Sequence, residues 1–320
     1  MRSNHIGEFA HGRIGCTIVQ RIAAAILCAI ALGPSSLRAQ SLEPRAYSNT
    51  PVGLNFLLVG FVYSEGEVGF DPAVPITGAH LHTDTEVVGF SHTLDVLGDS
   101  AKFDVVMPYV FLSGSALDAG APRTRDISGA GDPILKVAVN FFGAPAMSMK
   151  EFRDYHQDLI VGASLKVTAP FSQYADTKLV NIGTNRWSFK PELGISKALD
   201  PWTLDLYTGV TFYTENTDFR NGGTVQQDPL YSAQAHVMRS LTHGIWLALD
   251  GTFYWGGRTT VNGMSTATYQ ANSRFGTTLA MPISRSMSIK LYAAAGTSTR
   301  TRSNFNDAGI FWQYRFGGGF

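Results

Sequence analysis

Alternation of apolar and polar residues with a period of two recurs in about twelve stretches of this chain, and it constrains the fold more than any other feature. Each stretch is about 11–15 residues long, which exceeds the usual globular strand and matches a tilted membrane strand. In one stretch Trp202, Leu204 and Phe212 share a face, and Asp205 and Tyr207 share the opposite face. Because successive strand side chains point to opposite faces, we expect an apolar face toward lipid and a polar face toward a lumen.

The connections between these stretches alternate between short and long. We expect strands at 53–64, 82–94, 100–112, 132–142, 157–168, 184–197, 201–213, 229–241, 244–256, 268–282, 285–298 and 306–320. Short turns follow at 97–100, 198–201, 241–244 and 283–285, and long polar loops at 65–81, 113–130, 170–183, 215–227, 257–267 and 298–306. The pattern predicts an all-β fold, an antiparallel transmembrane β-barrel of about 12 strands with short periplasmic turns and long extracellular loops.

The last strand, Ile310 to Phe320, carries aromatic residues on one parity and ends on Phe320. Taken alone, such a segment also fits an amphipathic edge strand of a soluble sandwich. It resembles the C-terminal aromatic signal by which bacterial outer-membrane proteins are recognised for assembly. We therefore expect Phe320 to be an assembly signal, with the barrel assembly machinery and outer-membrane lipids as partners.

The first 39 residues have the pattern of a secretory signal peptide. Basic residues precede the apolar run Ile22–Leu32, which is too short to span a bilayer as a helix, and Ala39 ends a stretch of small residues. We predict Sec export to the outer membrane of a Gram-negative bacterium and three regions: a signal peptide at 1–39, an N-terminal strap at 40–52 and the barrel at 53–320. Both cysteines, Cys16 and Cys28, would then be removed.

The net charge of the chain bears on nucleic acid as a partner, and two charged residues of the strap bear on where the strap lies. The chain has 25 basic and 25 acidic residues, of which the first 39 residues hold four arginines and one glutamate, so the rest carries a net charge of about −3. Without a basic excess, we expect no nucleic-acid partner. The eleven residues Ser41–Pro51 cannot bury a core of their own. We expect Glu43 and Arg45 to pair with charges of the lumen and to hold the strap in the periplasmic mouth.

One periplasmic connection, Gly143–Gln157, is longer than the others. Ser148 and Glu151 have the spacing of a capping box, and Phe152 and Tyr155 follow on a common helical side. The pattern predicts a short helix at the rim of the barrel. Its role is either structural closure of the turn or docking of a partner.

Several motifs carry a resemblance to a known family. They are Leu42–Asn49, Pro51–Phe56, Gly131–Pro133, Val180–Glu192 and Ser286–Tyr292. Through these motifs the chain resembles the bacterial family of the MetA-pathway of phenol degradation. The resemblance covers essentially all of the chain after the predicted signal peptide. It implies an outer-membrane barrel that transports small, aromatic or hydrophobic compounds, and it implies no catalytic residue.

The residues of the inward face follow from the parity of the aromatic residues. Eight of them are basic and four are acidic: Lys102, Lys136, Lys166, Arg186, Lys190, Arg274, Lys290 and Arg315, against Asp104, Glu192, Asp205 and Asp250. Two interpretations remain open. Cross-strand ion pairs fill and satisfy a narrow lumen, or a basic excess selects anionic solutes.

A mechanism follows from the second interpretation. Arg186, Lys190 and Glu192 fall at inward positions close together in sequence, so they predict a ladder along the passage, and Tyr207 and Tyr292 add inward aromatic rings. A small aromatic acid would move between such weak sites without being trapped. The alternative is a non-conducting structural or adhesion barrel.

Enzymatic and metal sites are not expected. Ser91 and His92 point to opposite faces, and His236 lacks a serine context, so neither supplies the nucleophile and base that hydrolysis requires. A solvated loop explains His80 and His82 better than a metal site formed with the nearby acids Asp84 and Glu86. We expect no enzyme activity, cofactor or metal.

Overall fold

The computed structural model describes residues 43–67, 76–178, 180–298 and 304–319. The predicted signal peptide and Phe320 lie outside the described residues. The strands are β1 (Leu54–Glu67), β2 (Ile76–Val96), β3 (Asp99–Asp118), β4 (Ala121–Ala130), β5 (Ile134–Phe142), β6 (Leu159–Thr168), β7 (Ser188–Leu199), β8 (Trp202–Tyr213), β9 (Asn216–Phe219), β10 (Gly223–Gln227), β11 (Leu230–Ser240), β12 (Trp246–Gly256), β13 (Thr259–Val261), β14 (Met264–Ser265), β15 (Gln270–Pro282), β16 (Met287–Ser298) and β17 (Asn304–Gly317). Two 3₁₀ turns cover Glu151–Asp154 and Thr242–Gly244.

Twelve of these strands form a closed antiparallel barrel, as the alternation predicts. The ring runs through β1, β2, β3, β5, β6, β7, β8, β11, β12, β15, β16 and β17. It closes where β1 pairs with β17, from Leu54 opposite Gly317 to Glu67 opposite Asn304. Closure satisfies the backbone hydrogen bonds of every wall strand, which an apolar membrane requires.

The outer face of the barrel is apolar, and its parity is the predicted one. On β8, Leu206 is 60% exposed on the outer face, whereas Asp205 is 1% exposed on the inner face. Aromatic rings stack along the outer face of β17, where Trp312, Tyr314 and Phe316 lie 6.1 and 5.7 Å apart in sequence order. An apolar, aromatic exterior is the surface that lipid contacts.

Three of the predicted extracellular loops contain strands of their own. The segment 113–130 is a hairpin in which the upper part of β3 pairs with β4, and β9, β10, β13 and β14 form a small separate sheet within 215–227 and 257–267. Polar composition suggested loops there. Beyond the membrane both faces of a strand meet water, so a strand in that region needs no apolar face.

A break between β4 and β5 separates the extracellular hairpin from the barrel wall. It falls at Gly131–Pro133, one of the motifs shared with the family. Asp132 accepts hydrogen bonds from the backbone N–H groups of Ser172 and Thr184, each at 3.1 Å. The Asp132 carboxylate therefore fastens the connection between β6 and β7 to the wall.

The long periplasmic turn contains the predicted capping box. Glu151 accepts hydrogen bonds from the Ser148 hydroxyl at 2.7 Å and from its N–H at 2.8 Å. These hydrogen bonds lower the pKa of the exposed Glu151. The rings of Phe152 and Tyr155 stack at 5.5 Å. No helix among the described residues is long and apolar enough to cross a membrane.

Candidate solute pathway through the barrel

The described part of the strap, residues 43–52, lies inside the periplasmic end of the barrel. The Val52 N–H donates to the Met147 carbonyl at 2.9 Å, and the Asn49 amide donates to the Pro145 carbonyl at 3.2 Å. Pro145 also forms a β-bridge with Asp99 at the neighbouring turn. The long periplasmic turn thus holds the strap in place. This supports a structural role for the turn rather than the docking of a partner.

Tyr47 is the deepest anchor of the strap. It is 0% exposed, its ring meets that of Tyr207 edge to face at 5.0 Å, and its hydroxyl lies 3.0 Å from the Ser164 hydroxyl. A Cβ atom at Gly194 would lie 2.0 Å from the Tyr47 ring, and one at Gly162 would lie 2.5 Å from it. The ring therefore fits only because the wall has glycines at these two positions. Burial raises the pKa of Tyr47.

Glu43 brings a carboxylate to a row of lysines. Its carboxylate lies 2.5 Å from the Lys136 ammonium and 3.6 Å from that of Lys166. On the next strand, the Lys190 ammonium lies 2.6 Å from the Glu192 carboxylate. One carboxylate of the strap and one of the wall thus neutralise the row in part.

Arg45 is held differently from the prediction. Its backbone N–H, not its side chain, donates to the Asp205 carboxylate at 3.0 Å. Its guanidinium lies 5.0 Å from the centre of the Trp246 ring and donates to the Ser240 hydroxyl at 3.3 Å. Burial lowers the pKa of Arg45, and the nearby Asp205 carboxylate partly offsets this.

Beneath the strap, polar side chains of β8, β11 and β12 fill the lumen, and Thr278 of β15 borders them. Tyr207 donates to Asp205, and the His236 imidazole lies 2.6 Å from the Asp250 carboxylate, which also accepts from Thr278 at 2.8 Å. His236 is 1% exposed. We call this side of the lumen, formed by the strap and the inner faces of β6–β8, β11 and β12, the filled half.

The opposite side of the lumen contains a cavity of about 1320 Å³. We call this side, formed by the inner faces of β1–β3 and β15–β17, the open half. Its lining extends from Arg285 and Ser286 in a periplasmic turn to Phe219 and Val225 in the extracellular sheet. Much of the wall is apolar, with Phe56, Leu58, Val62, Leu81, Val87, Val106, Pro108, Val110, Leu112 and Phe305. The parity of the sequence predicted a polar inner face, so this apolar part of the inner wall was not predicted.

Aromatic rings of the open half lie against wall glycines. A Cβ atom at Gly60 would lie 2.1 Å from the Phe311 ring, and one at Gly309 would lie 2.2 Å from the Tyr292 ring. The two rings stack at 5.9 Å, and the Lys290 ammonium lies 5.3 Å from the centre of the Phe311 ring. The glycines leave room for large rings along the wall.

The predicted lumen residues are divided between the two halves. The large cavity is lined by Lys102, Asp104, Lys136, Lys166, Arg186, Lys290, Tyr292 and Arg315. Lys190 and Glu192 line a separate void of only about 10 Å³. Asp205 and Tyr207 are buried beside the strap, at 1% and 3% exposure. The predicted ladder of Arg186, Lys190 and Glu192 is therefore split between two places.

Two arginines of the lumen are held by fixed contacts, one of them with a wall carboxylate. Arg274 is ion-paired with Asp307, whose other oxygen accepts from the Ser64 hydroxyl at 2.8 Å. Asp307 lines the large cavity and was missed in the sequence, although its parity with Phe311 places it inward. Arg186 donates to Gln227 at 2.5 Å and lies 4.6 Å from the centre of the Tyr213 ring.

Two of the histidines considered in the sequence, His82 and His236, have acidic partners in the structure. Within 43–67, 76–178, 180–298 and 304–319, no group of three or more His, Cys, Asp or Glu residues could hold a metal ion. His82 lies 3.0 Å from Asp84, and its ring centre lies 4.8 Å from that of Tyr63. The hydrogen bonds described for His236 include none to a serine or threonine hydroxyl.

A closed barrel with an apolar exterior and a polar interior is the structure of a transmembrane β-barrel protein. The chain belongs to the family described as "Putative MetA-pathway of phenol degradation", whose sequence model matches residues 65–316. The shared motifs before residue 57 lie outside that match. A sequence comparison with curated proteins finds no match.

Solved structures share this fold. The COG4313 outer membrane channel from Pseudomonas putida F1 has a TM-score of 0.72 and 20% identity, covering 86% of this chain and 100% of that chain. The β-domain of the Bordetella autotransporter BrkA has a TM-score of 0.51 and 10% identity, covering 82% and 100%. The transport unit of AIDA-I from Escherichia coli has a TM-score of 0.51 and 9% identity, covering 92% and 97%. Identities this low establish a common fold alone.

Proposed function

We propose that the protein is an outer-membrane channel for the passive uptake of small compounds with an apolar body, aromatic acids among them. One observation carries the proposal: a single cavity of about 1320 Å³ is lined both by a periplasmic turn and by extracellular strands. Diffusion across a membrane requires such a route, with binding weak enough for the solute to leave.

The chemistry of the cavity wall supports this class of solute. Apolar side chains of β1–β3 face the cavity, and several cations line it, including Lys102, Lys290 and Arg315. An aromatic acid combines an apolar ring with a carboxylate, so it can contact both kinds of surface. The family description names phenol degradation, and a structure of the same fold is named as a channel.

The filled half favours a second candidate function. The strap and the buried pairs of β6–β8, β11 and β12 block part of the lumen, as expected of a structural or adhesion barrel that conducts nothing. The two functions differ in one property, which is whether a solute crosses the open half.

Solute uptake into liposomes tests the proposal. Proteoliposomes should take up labelled benzoate and benzyl alcohol faster than protein-free liposomes. Val87 faces the cavity and Val88 is 51% exposed on the outer face, so they form a matched pair on one strand. Val87→Trp should reduce uptake and Val88→Trp should not. Heat-modifiable gel migration would show that the wild-type protein is folded. If the folded protein carries neither solute, the result would support the non-conducting barrel.

A further inference from the structure

Three lysines stand side by side on the inner face of three neighbouring strands. Lys136 of β5 is directly opposite Lys166 of β6, which is directly opposite Lys190 of β7. Side chains directly opposite each other have Cβ atoms about 5 Å apart, and like charges there destabilise the sheet. A row of this kind needs anions to neutralise it.

The row obtains its anions from two sources. Glu192 belongs to the wall and pairs with Lys190 at 2.6 Å. Glu43 belongs to the strap, and its two carboxylate oxygens face Lys136 and Lys166, at 2.5 and 3.6 Å. Two ammonium groups that share one carboxylate form a geometry that suits any carboxylate of similar size.

This place is accessible from the solute pathway. Glu43, Lys136 and Lys166 all line the large cavity. Behind them lies the void of about 10 Å³ lined also by Ser164 and Gln234, and a void of that size has room for about one water molecule. A carboxylate that replaced Glu43 could therefore arrive from the cavity side.

The rest of the strap is anchored independently of the Glu43 carboxylate. Tyr47 is anchored by its own buried contacts, and Val52 is hydrogen-bonded to the long periplasmic turn. Asp104 lies opposite Lys136 on the other side and lowers the net positive charge of the row. These features favour an anion that is bound weakly and exchanges.

We propose that Lys136 and Lys166 form a carboxylate-binding seat on the wall of the passage, which Glu43 fills as a tethered competitor of carboxylate solutes. The ligand class is a small monocarboxylate with an apolar body. This inference rests on the proposed function only in so far as the passage delivers the solute, because binding to the seat can be measured without transport.

Calorimetric titration of benzoate into the detergent-solubilised protein tests the seat. Glu43→Gln removes the competing charge but keeps the shape, so benzoate should bind roughly fivefold more tightly than to wild type, the effect of about one partly exposed ion pair. Adding Lys136→Gln to that variant should abolish the gain. Asp154→Asn, an exposed acid of the periplasmic turn, is the matched control and should change nothing. Benzyl alcohol should bind equally to all four proteins.

Equal benzoate affinity in wild type and Glu43→Gln would overturn the seat, as would a gain that survives Lys136→Gln. If the double variant fails to fold, Lys166→Gln in the Glu43→Gln background replaces it, and the comparison of the single variant with wild type decides on its own. Uptake into liposomes separates the two proposals. A change in benzoate affinity without any uptake would reject the channel and keep the seat. Uptake without a change in benzoate affinity would reject the seat and keep the channel.

Discussion

The two halves of the lumen use the same structural device with opposite results. In the filled half, Gly162 and Gly194 receive the ring of Tyr47, which comes from the strap and crosses the lumen. In the open half, Gly60 receives the ring of Phe311, a side chain of the neighbouring wall strand. A ring that comes from the wall itself occupies less of the lumen than one carried on an extra segment of chain.

The comparison shows that the source of a side chain decides whether a narrow barrel is open. Both halves contain aromatic residues, ion pairs and glycines on the inner face. The filled half also holds an additional segment, the strap, whose Tyr47 and Glu43 meet partners that are 117 and 93 residues away in sequence. We therefore expect changes at the strap to affect conduction more than changes of the wall.

Removing the strap should have the largest effect. Deletion of residues 41–50 takes away Glu43, Arg45 and Tyr47, so we expect the single-channel conductance in planar bilayers to rise severalfold. The barrel should persist, because its twelve strands are hydrogen-bonded into a closed ring without the strap. Unchanged conductance of the folded variant would show that the strap does not limit the passage.

A wall side chain that occupies the position of the Tyr47 ring should also raise the conductance, but by less than the deletion does. A Cβ atom in Gly194→Ala would lie 2.0 Å from the Tyr47 ring, so the ring must shift and loosen the strap. We expect a conductance between those of wild type and the deletion. Gly89→Ala is the control in the open half, where the nearest atom would lie at an ordinary 3.4 Å and the conductance should not rise. Equal behaviour of the two variants would contradict the model of a wall-seated anchor.

Displacing a ring of the open half should lower the conductance. In Gly309→Ala the new methyl group would lie 2.2 Å from the Tyr292 ring, and a shift of the ring away from it would bring the ring further into the cavity that it lines. We expect the conductance to fall by about half, because a narrow pore is sensitive to small changes of its radius. Tyr292→Ala in the same background should restore it. A conductance that stays low in the double variant would mean that the wall, not the ring, was disturbed.

The barrel could be predicted from the sequence because strand parity is a local property. Trp202 and Asp205 separate onto lipid and lumen faces through the two-residue period alone, and the same rule places Asp307 inward. The capping box of Ser148 and Glu151 is equally local. Each of these features depends on residues that lie close together in the chain.

The division of the lumen could not be predicted in this way. Parity states that Lys190 and Lys290 both face inward, but it does not state which side chains meet across the barrel. Lys190 is paired with Glu192, whereas Lys290 lies over the ring of Phe311 beside the cavity. Register across the wall and the path of the strap decide this, and both depend on contacts between distant parts of the chain.

The smallest predicted effect concerns selectivity within the open half. The Lys290 ammonium lies beside the cavity and 5.3 Å from the centre of the Phe311 ring, where it can attract a carboxylate whose ring rests on Phe311. Lys290→Gln removes the charge and keeps most of the side chain, so benzoate uptake should fall by about twofold relative to benzyl alcohol, as expected for one weak charge interaction near water. Lys197→Gln is the control, because Lys197 pairs with Asp158 near the periplasmic end and does not line the cavity. If Lys290→Gln leaves the ratio of benzoate to benzyl alcohol uptake at the wild-type value, Lys290 serves the packing of Phe311 and the open half selects by apolar contact alone.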